Sequence, residues 1–216
     1  MARQFVQPGS SMDFSALPVT SGPLTISCWF NRDAIVFSSL TETLVGFSTV
    51  AAPQQAYILE ITSSLNVQAR QVGGVGPTTS TATSPGTAAN GSWNFAAATF
   101  VTTGSRRVNL NGVSTSDGSV TFFGTATFGE VGALNGGLEF NGAVSNVAVW
   151  DVALTVDQVN QMAAGFSPFQ VAAENLLAFF PMNRGGLNRS RVSSFILSPS
   201  GTANLVGDGA LFPTYT

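Results

Sequence analysis

Residues 140–165, FNGAVSNVAVWDVALTVDQVNQMAAG, leave a folding chain few choices. Val144, Val147 and Val149 read as the apolar side of a strand. Strict alternation would send Val144 to one face and the other two to the opposite face. One extra residue near Ser145 and Asn146, a β-bulge, restores a common face. Trp150 closes the strand and Asp151 starts a turn.

A short helix follows, predicted near 155–164. Thr155 is a good N-cap, and Gln158 three residues on completes a capping box. Leu154 before the cap and Val159 inside the helix form a hydrophobic staple. Val156, Val159, Met162 and Ala163 fall on one helical face. Gly165 supplies the C-terminal stop, with Pro168 just beyond it.

Elsewhere the sequence is written for strands. Phe5 with Val6, and Met12 with Phe14, are short strands around a Pro8-Gly9 turn. Leu24 to Phe30 is the strongest early strand. Asp33 to Glu42 is a connection without a period. Leu44–Phe47, Tyr57–Ile61 and Leu65–Ala69 read as a meander. Leu59 and Ile61 alternate there with Glu60 and Thr62, as in a sheet with one wet face. Residues 73–92 are Gly-, Ser- and Thr-rich and cannot bury a core, so they read either as a flexible loop or as an arm that orders on a neighbouring subunit. Trp93 to Val101 is a near-continuous apolar strand. Arg107–Leu110 turns back at Asn111-Gly112, a type I′ hairpin signal. Val120, Phe122 and Phe128 to Val131 continue the strand pattern. Leu176 to Met182 is the last strong strand, stopped by Pro181. The expectation is an all-β chain with one short helix. Trp29, Trp93 and Trp150 are assigned to core packing within strands.

The 216 residues suit one large sandwich, expected over 1–185, with a C-terminal extension over 186–216. Phe195–Leu197 and Ala203–Val206 are candidate strands of that extension. The aromatic end from Ala210 to Thr216 is too apolar for a free tail and is expected to pack on its own domain or on a neighbour.

Composition narrows the function. Charged residues are 9% of the chain, where about 25% is usual. All 8 cationic residues are Arg, and there is no His. Interfaces tend to exclude Lys and Glu, so the charge deficit suits a surface engaged with partner subunits. No apolar run approaches the roughly 18 residues of a membrane span, and the N-terminus lacks the apolar block of a signal peptide. The net charge of -3 argues against nucleic acid. Arg106 with Arg107, and the loose group Arg184, Arg189 and Arg191, suit paired charges or a solvated loop. Cys28 is the single cysteine and alternates with Ile26 and Phe30, so it reads as a buried structural thiol.

Catalytic chemistry is scarce. Without His or Lys, the commonest general base and the Schiff-base nucleophile are missing. Glycosidases need paired carboxylates, and Glu130 and Glu139 stand nine positions apart without close acidic partners. Asp33, Asp117 and Asp208 are the loop candidates for calcium, too few for a site, and the Asp-Gly pairs at 117 and 208 read as turns. The expectation is therefore no enzyme activity, no catalytic, cofactor-binding or metal-ligating residues, and no cofactor.

The stretch opening Phe140-Asn141-Gly142 and ending in Trp150, then Ala153-Leu154-Thr155 and the helix, resembles LamG-like (laminin-G-like, concanavalin A-like) jelly-roll domains. Pro23–Phe30, Ser92-Trp93 with Ala96–Phe100, Arg107–Gly112 and Leu176–Met182 are similar to other strands of that family, and together they cover most of 1–185. More narrowly, the opening, Ala163 to Pro168 and the return strand resemble LamG-like proteins encoded by bacteriophages, where the domain stands almost alone. The resemblance implies a two-sheet antiparallel jelly-roll sandwich. With the composition, it implies a non-enzymatic virion structural protein, made in the host cytoplasm. Such a protein would decorate or cement the head by contacts with the major capsid protein or other virion subunits, and would form a trimer or other ring. The alternative is an adhesin of the head or tail fibre that binds a host-surface glycan.

Overall fold

The computed structural model describes residues 2–5, 10–33, 41–49, 55–73, 78–121, 125–135, 138–182, 188–189 and 196–201. The strands in chain order are β1 (Arg3–Phe5), β2 (Ser10–Phe14), β3 (Leu24–Arg32), β4 (Glu42–Ser48), β5 (Ala56–Ile61) and β6 (Val67–Gly73). They continue as β7 (Thr78–Thr83), β8 (Asn94–Thr102), β9 (Ser105–Leu110), β10 (Val113–Asp117), β11 (Phe128–Val131) and β12 (Gly142–Trp150). Helix α1 (Val156–Ala163) and two 3-10 turns, Pro168–Gln170 and Ala173–Asn175, precede β13 (Leu176–Phe180), β14 (Asn188–Arg189) and β15 (Ile196–Gly201).

Two sheets form an antiparallel sandwich. One runs β1-β12-β3-β8-β9-β10 with β13 also on β12, and the other runs β14-β15-β2-β11-β4-β5-β6-β7. The chain thus has the expected all-β jelly-roll architecture. β1 and β2, read as neighbours across a turn, lie in different sheets.

The bulge is where the valine spacing puts it. Ser145 pairs with Trp29 and Ala148 with Ser27, so β12 advances three residues against two on β3. Asn146 takes up the extra residue at φ 52°. Val144, Val147 and Val149 all enter the core between the sheets, with Ile26, Cys28 and Phe30. Burial pushes the Cys28 thiol pKa well up, which keeps it an unreactive thiol. Beyond the bulge, Ala148 and Trp150 face outward into a second apolar cluster with Phe95, Leu154, Val159, Met162 and Phe179. β12 is therefore buried on both faces.

The helix forms as its caps dictate. Thr155 and Gln158 make the reciprocal capping box. Gly165 (φ 97°) donates to Met162 O and Phe166 to Gln161 O, the Schellman pattern. Leu154 and Val159 are buried together, but Val156 is exposed, because the cluster is wide enough only for Val159 and Met162 with Ala163 at its margin. The Asn111-Gly112 turn has positive φ at both residues, as type I′ requires.

Several expectations are corrected. Residues 78–83, read within a loop or arm, form β7 on the edge of β6 in their own chain. Their Thr-rich sequence has the β-branched character of a strand, which its low complexity obscured. Val120 is 72% exposed and lies in no strand. Trp93 precedes β8, and Trp29 is only partly buried, on the outer cluster; Trp150 is fully buried. Glu42 begins β4 instead of ending a connection. The strand expected near Ile196 and Leu197 is present: β15 pairs with β2, and Leu197 enters the core. The Pro8-Gly9 turn, Phe122, Arg184, Arg191, Phe195, the strand at 203–206, Asp208 and the terminal aromatics lie outside the described residues.

Gly142 is a fixed point of this design. Its φ is 148°, and a Cβ there would collide with Asn31 O and lie 2.8 Å from Arg32 Cα. Gly142→Ala should therefore cost about 3 kcal/mol or more, read as a fall in the urea midpoint. A variant as stable as the parent would contradict the pairing of β12 with β3 at that point.

Candidate functional site

The carboxylates singled out from sequence are mostly committed to the scaffold. Glu60, expected on a wet face, is 1% exposed. It accepts from Arg70 in a two-pronged pair at 2.7 and 2.8 Å. Its face of the second sheet is dry because Ala56, Ile58, Val72 and Leu134 pack there. Glu130 is buried and accepts from Ser11 at 3.0 Å. Asp33 accepts from Gln4 at 2.9 Å. Among the described residues, no three of His, Cys, Asp and Glu come together as a metal would need.

One ion pair joins the two sheets directly, and a second does so through a serine. Arg32 on β3 and Glu42 on β4 form a bidentate pair at 2.7 and 3.0 Å, both nearly fully buried. Toward the other margin, Arg106 Nη1 lies 2.6 Å from Asp117 Oδ2, and Arg106 Nη2 donates to Ser119 O at 2.8 Å. Ser80, from β7 in the opposite sheet, donates to the same carboxylate. So Asp117, read as a simple turn residue, ties β10 to β7. Burial, the largest single influence, favours the protonated form of Asp117. Hydrogen bonds from Ser80 and Ser119 and the Arg106 charge outweigh it together and hold the carboxyl below its ordinary value. Arg107 donates to Leu154 O on the far side of the same sheet.

Two surface features remain. The first is an open cavity of about 370 Å³ between the loop before β8 and the β9–β10 turn. Pro85, Gly86, Thr87, Leu110, Asn111 and Val113 line it, and none of them is charged. Asn111 is held from behind, accepting from Phe95 N–H at 2.7 Å and donating to Asn94 at 3.0 Å.

The second is the flank formed by 151–175, which covers the outer face of the first sheet. Thr25 Oγ1 donates to Val152 O at 2.8 Å and accepts from Leu154 N–H at 3.0 Å. Trp150 Nε1 donates to Val171 O at 3.1 Å. Ser167 caps the 3-10 turn in a second capping box with Gln170. On this anchored flank, Phe166 and Phe169 are 42% and 43% exposed. Phe169 packs edge-on against Phe179 with ring centroids 5.3 Å apart. Sequence reading assigned no role to either phenylalanine. The Ser167-x-x-Gln170 box was the available signal that this segment is fixed.

The profile of the concanavalin A-like lectin/glucanases superfamily matches residues 7–160. The chain belongs to that superfamily. No curated protein sequence matches it significantly. Among solved structures, a putative carbohydrate binding protein from Bacteroides ovatus ATCC 8483 superposes with TM-score 0.66 at 19% identity, over 93% of this chain. The chain spans 58% of that protein's length. The CBM40 of Ruminococcus gnavus IT-sialidase bound to alpha2,3 sialyllactose gives TM-score 0.56 at 13% identity, over 76% of this chain and 98% of the other. Tailspike protein 2 of an Escherichia coli O157:H7 bacteriophage gives 0.55 at 14%, over 78% of this chain and 25% of the tailspike. At these identities the likeness is one of fold.

Removing one partner of a buried ion pair strands the other. Glu42→Gln should cost about 3–5 kcal/mol in urea unfolding, and the double change Arg32→Met with Glu42→Leu should cost much less. Asp117 gives a pH signature. Its folded pKa lies below the unfolded value of about 3.9, so its contribution is present above that value and lost as pH falls through the folded pKa. Between pH 5 and the acid limit, Asp117→Asn should therefore lose less stability than the parent. Equal losses would contradict the Arg106–Asp117–Ser80 link.

Proposed function

We propose that this protein is a non-enzymatic structural component of a virion surface, a decoration or cement protein held on the head by protein contacts. The observation that carries the reading is where the charge sits. Arg3, Arg32, Arg106, Glu42, Glu60 and Glu130 are buried. Among the residues whose side chains are described, the exposed charged ones are Asp151, Asp157 and Glu174. A free protein ordinarily keeps charge outside for solubility. Here the strands present mainly neutral polar side chains outward, such as Thr78, Thr79 and Ser116. That surface suits burial against other chains, which charge would hinder. The likeness of fold to a phage tailspike is consistent with a virion setting but does not specify the head.

A second reading has its own observation. The uncharged cavity at Pro85–Val113 has a size suited to a small ligand, and two of the similar folds are described as carbohydrate-binding or are seen with sialyllactose. On that reading the protein is a glycan-binding adhesin of the virion.

Sedimentation of the protein with purified particles separates the two. The first reading expects stoichiometric co-sedimentation that free saccharides do not displace. Attachment abolished by a saccharide, together with binding of that saccharide to the isolated protein, would favour the adhesin and overturn the first.

A further inference from the structure

The 151–175 flank has what an attachment face needs. It presents two rigidly mounted aromatic rings, Phe166 and Phe169, with Val156 exposed at 36% on the same segment. Half-exposed phenylalanine contributes nothing to solubility and is the kind of anchor that dominates interface energetics when covered. Both rings are carried by backbone already fixed by caps, so little conformational entropy remains to be lost on docking.

The charges identify the partner. Asp151, Asp157 and Glu174 are exposed on this segment. Asp157 lies in the first turn of α1, where the helix dipole favours it, but that accounts for neither Asp151 nor the exposure of all three. Arg107, at the margin, is only half-buried and has its guanidinium bonded to Leu154 O. The segment thus exposes apolar rings and acidic side chains, and it carries no Arg or Lys. A second copy seated symmetrically on it would oppose carboxylate to carboxylate, because residues 151–175 carry no Arg or Lys of their own. An anionic lipid surface would be repelled for the same reason.

We propose that the 151–175 flank is the face by which the protein docks, and that its occupant is a protein surface bearing Arg or Lys around an apolar recess that receives Phe166 and Phe169. The assignment rests on the virion reading above and names the attachment face within it. Opposite charge steers the encounter and sets register, while the rings hold the complex.

The test uses heads of the virus that carries the gene, depleted of this protein, with the full chain added back and binding measured by sedimentation. Phe166→Ser with Phe169→Ser should weaken binding roughly 30-fold or more, the effect of losing one hot-spot anchor. Because Phe169 also packs on Phe179, a second variant leaves the rings in place. Asp151→Asn, Asp157→Asn and Glu174→Gln together should bind several-fold more weakly at low salt and flatten the salt dependence. Parent binding with both variants unaffected would overturn the face and leave the virion reading intact. Failure of the parent itself to bind heads would overturn both. A dimer of the free protein that the Phe166→Ser and Phe169→Ser changes dissolve would overturn the choice of partner.

Discussion

At Ser145–Asn146, β12 holds one residue more than the strand beside it, and the sandwich is arranged around that surplus. Upstream of the bulge, β12 takes β1 as its outer neighbour, from Gly142 to Val144. Downstream it takes β13, from Val147 to Trp150. Two strands distant in sequence thus share one edge end to end. The same surplus sends all three valines into the core and leaves Trp150 to anchor the outer cluster. Without it, Val144 would face away from Val147 and Val149, and one of the two apolar clusters would lose its members.

The flank is tied to the first sheet through Trp150 on β12 and Thr25 on β3, so its shape follows from the sheet and not from its own short helix. An eight-residue helix is marginal by itself in water. Here its own capping box and the buried side chains Val159 and Met162 hold it in place. This is how a neutral, Ser/Thr-rich scaffold comes to carry one surface segment of different character, with exposed rings and acidic groups together.

Local signals were legible in the sequence because their causes are local. The bulge follows from three valines, the helix from Thr155, Gln158 and Gly165, and the hairpin from Asn111-Gly112. The buried thiol follows from alternation with Ile26 and Phe30. The carboxylates were not legible, because the burial of Glu42 and Glu60 and the pairing of Asp117 depend on Arg32, Arg70 and Arg106, each ten or more residues away. Alternation alone gives Glu60 a wet face; only the packing of Leu134 over that sheet makes it dry. β7 was hidden because Thr and Ser serve strands and loops alike. The exposed phenylalanines were not legible because Phe is ordinarily a core residue, and exposure is decided by what the flank leaves uncovered.

The proposal as a whole holds that a sandwich with its charges turned inward belongs among other chains. A density map of the intact particle tests this most directly. The account predicts repeated copies of the sandwich seated on the shell, with the segment around Phe166 and Phe169 against a basic patch of the neighbouring protein. A map in which the sandwich is missing from the shell, or meets its neighbours only through bound saccharide, would contradict it.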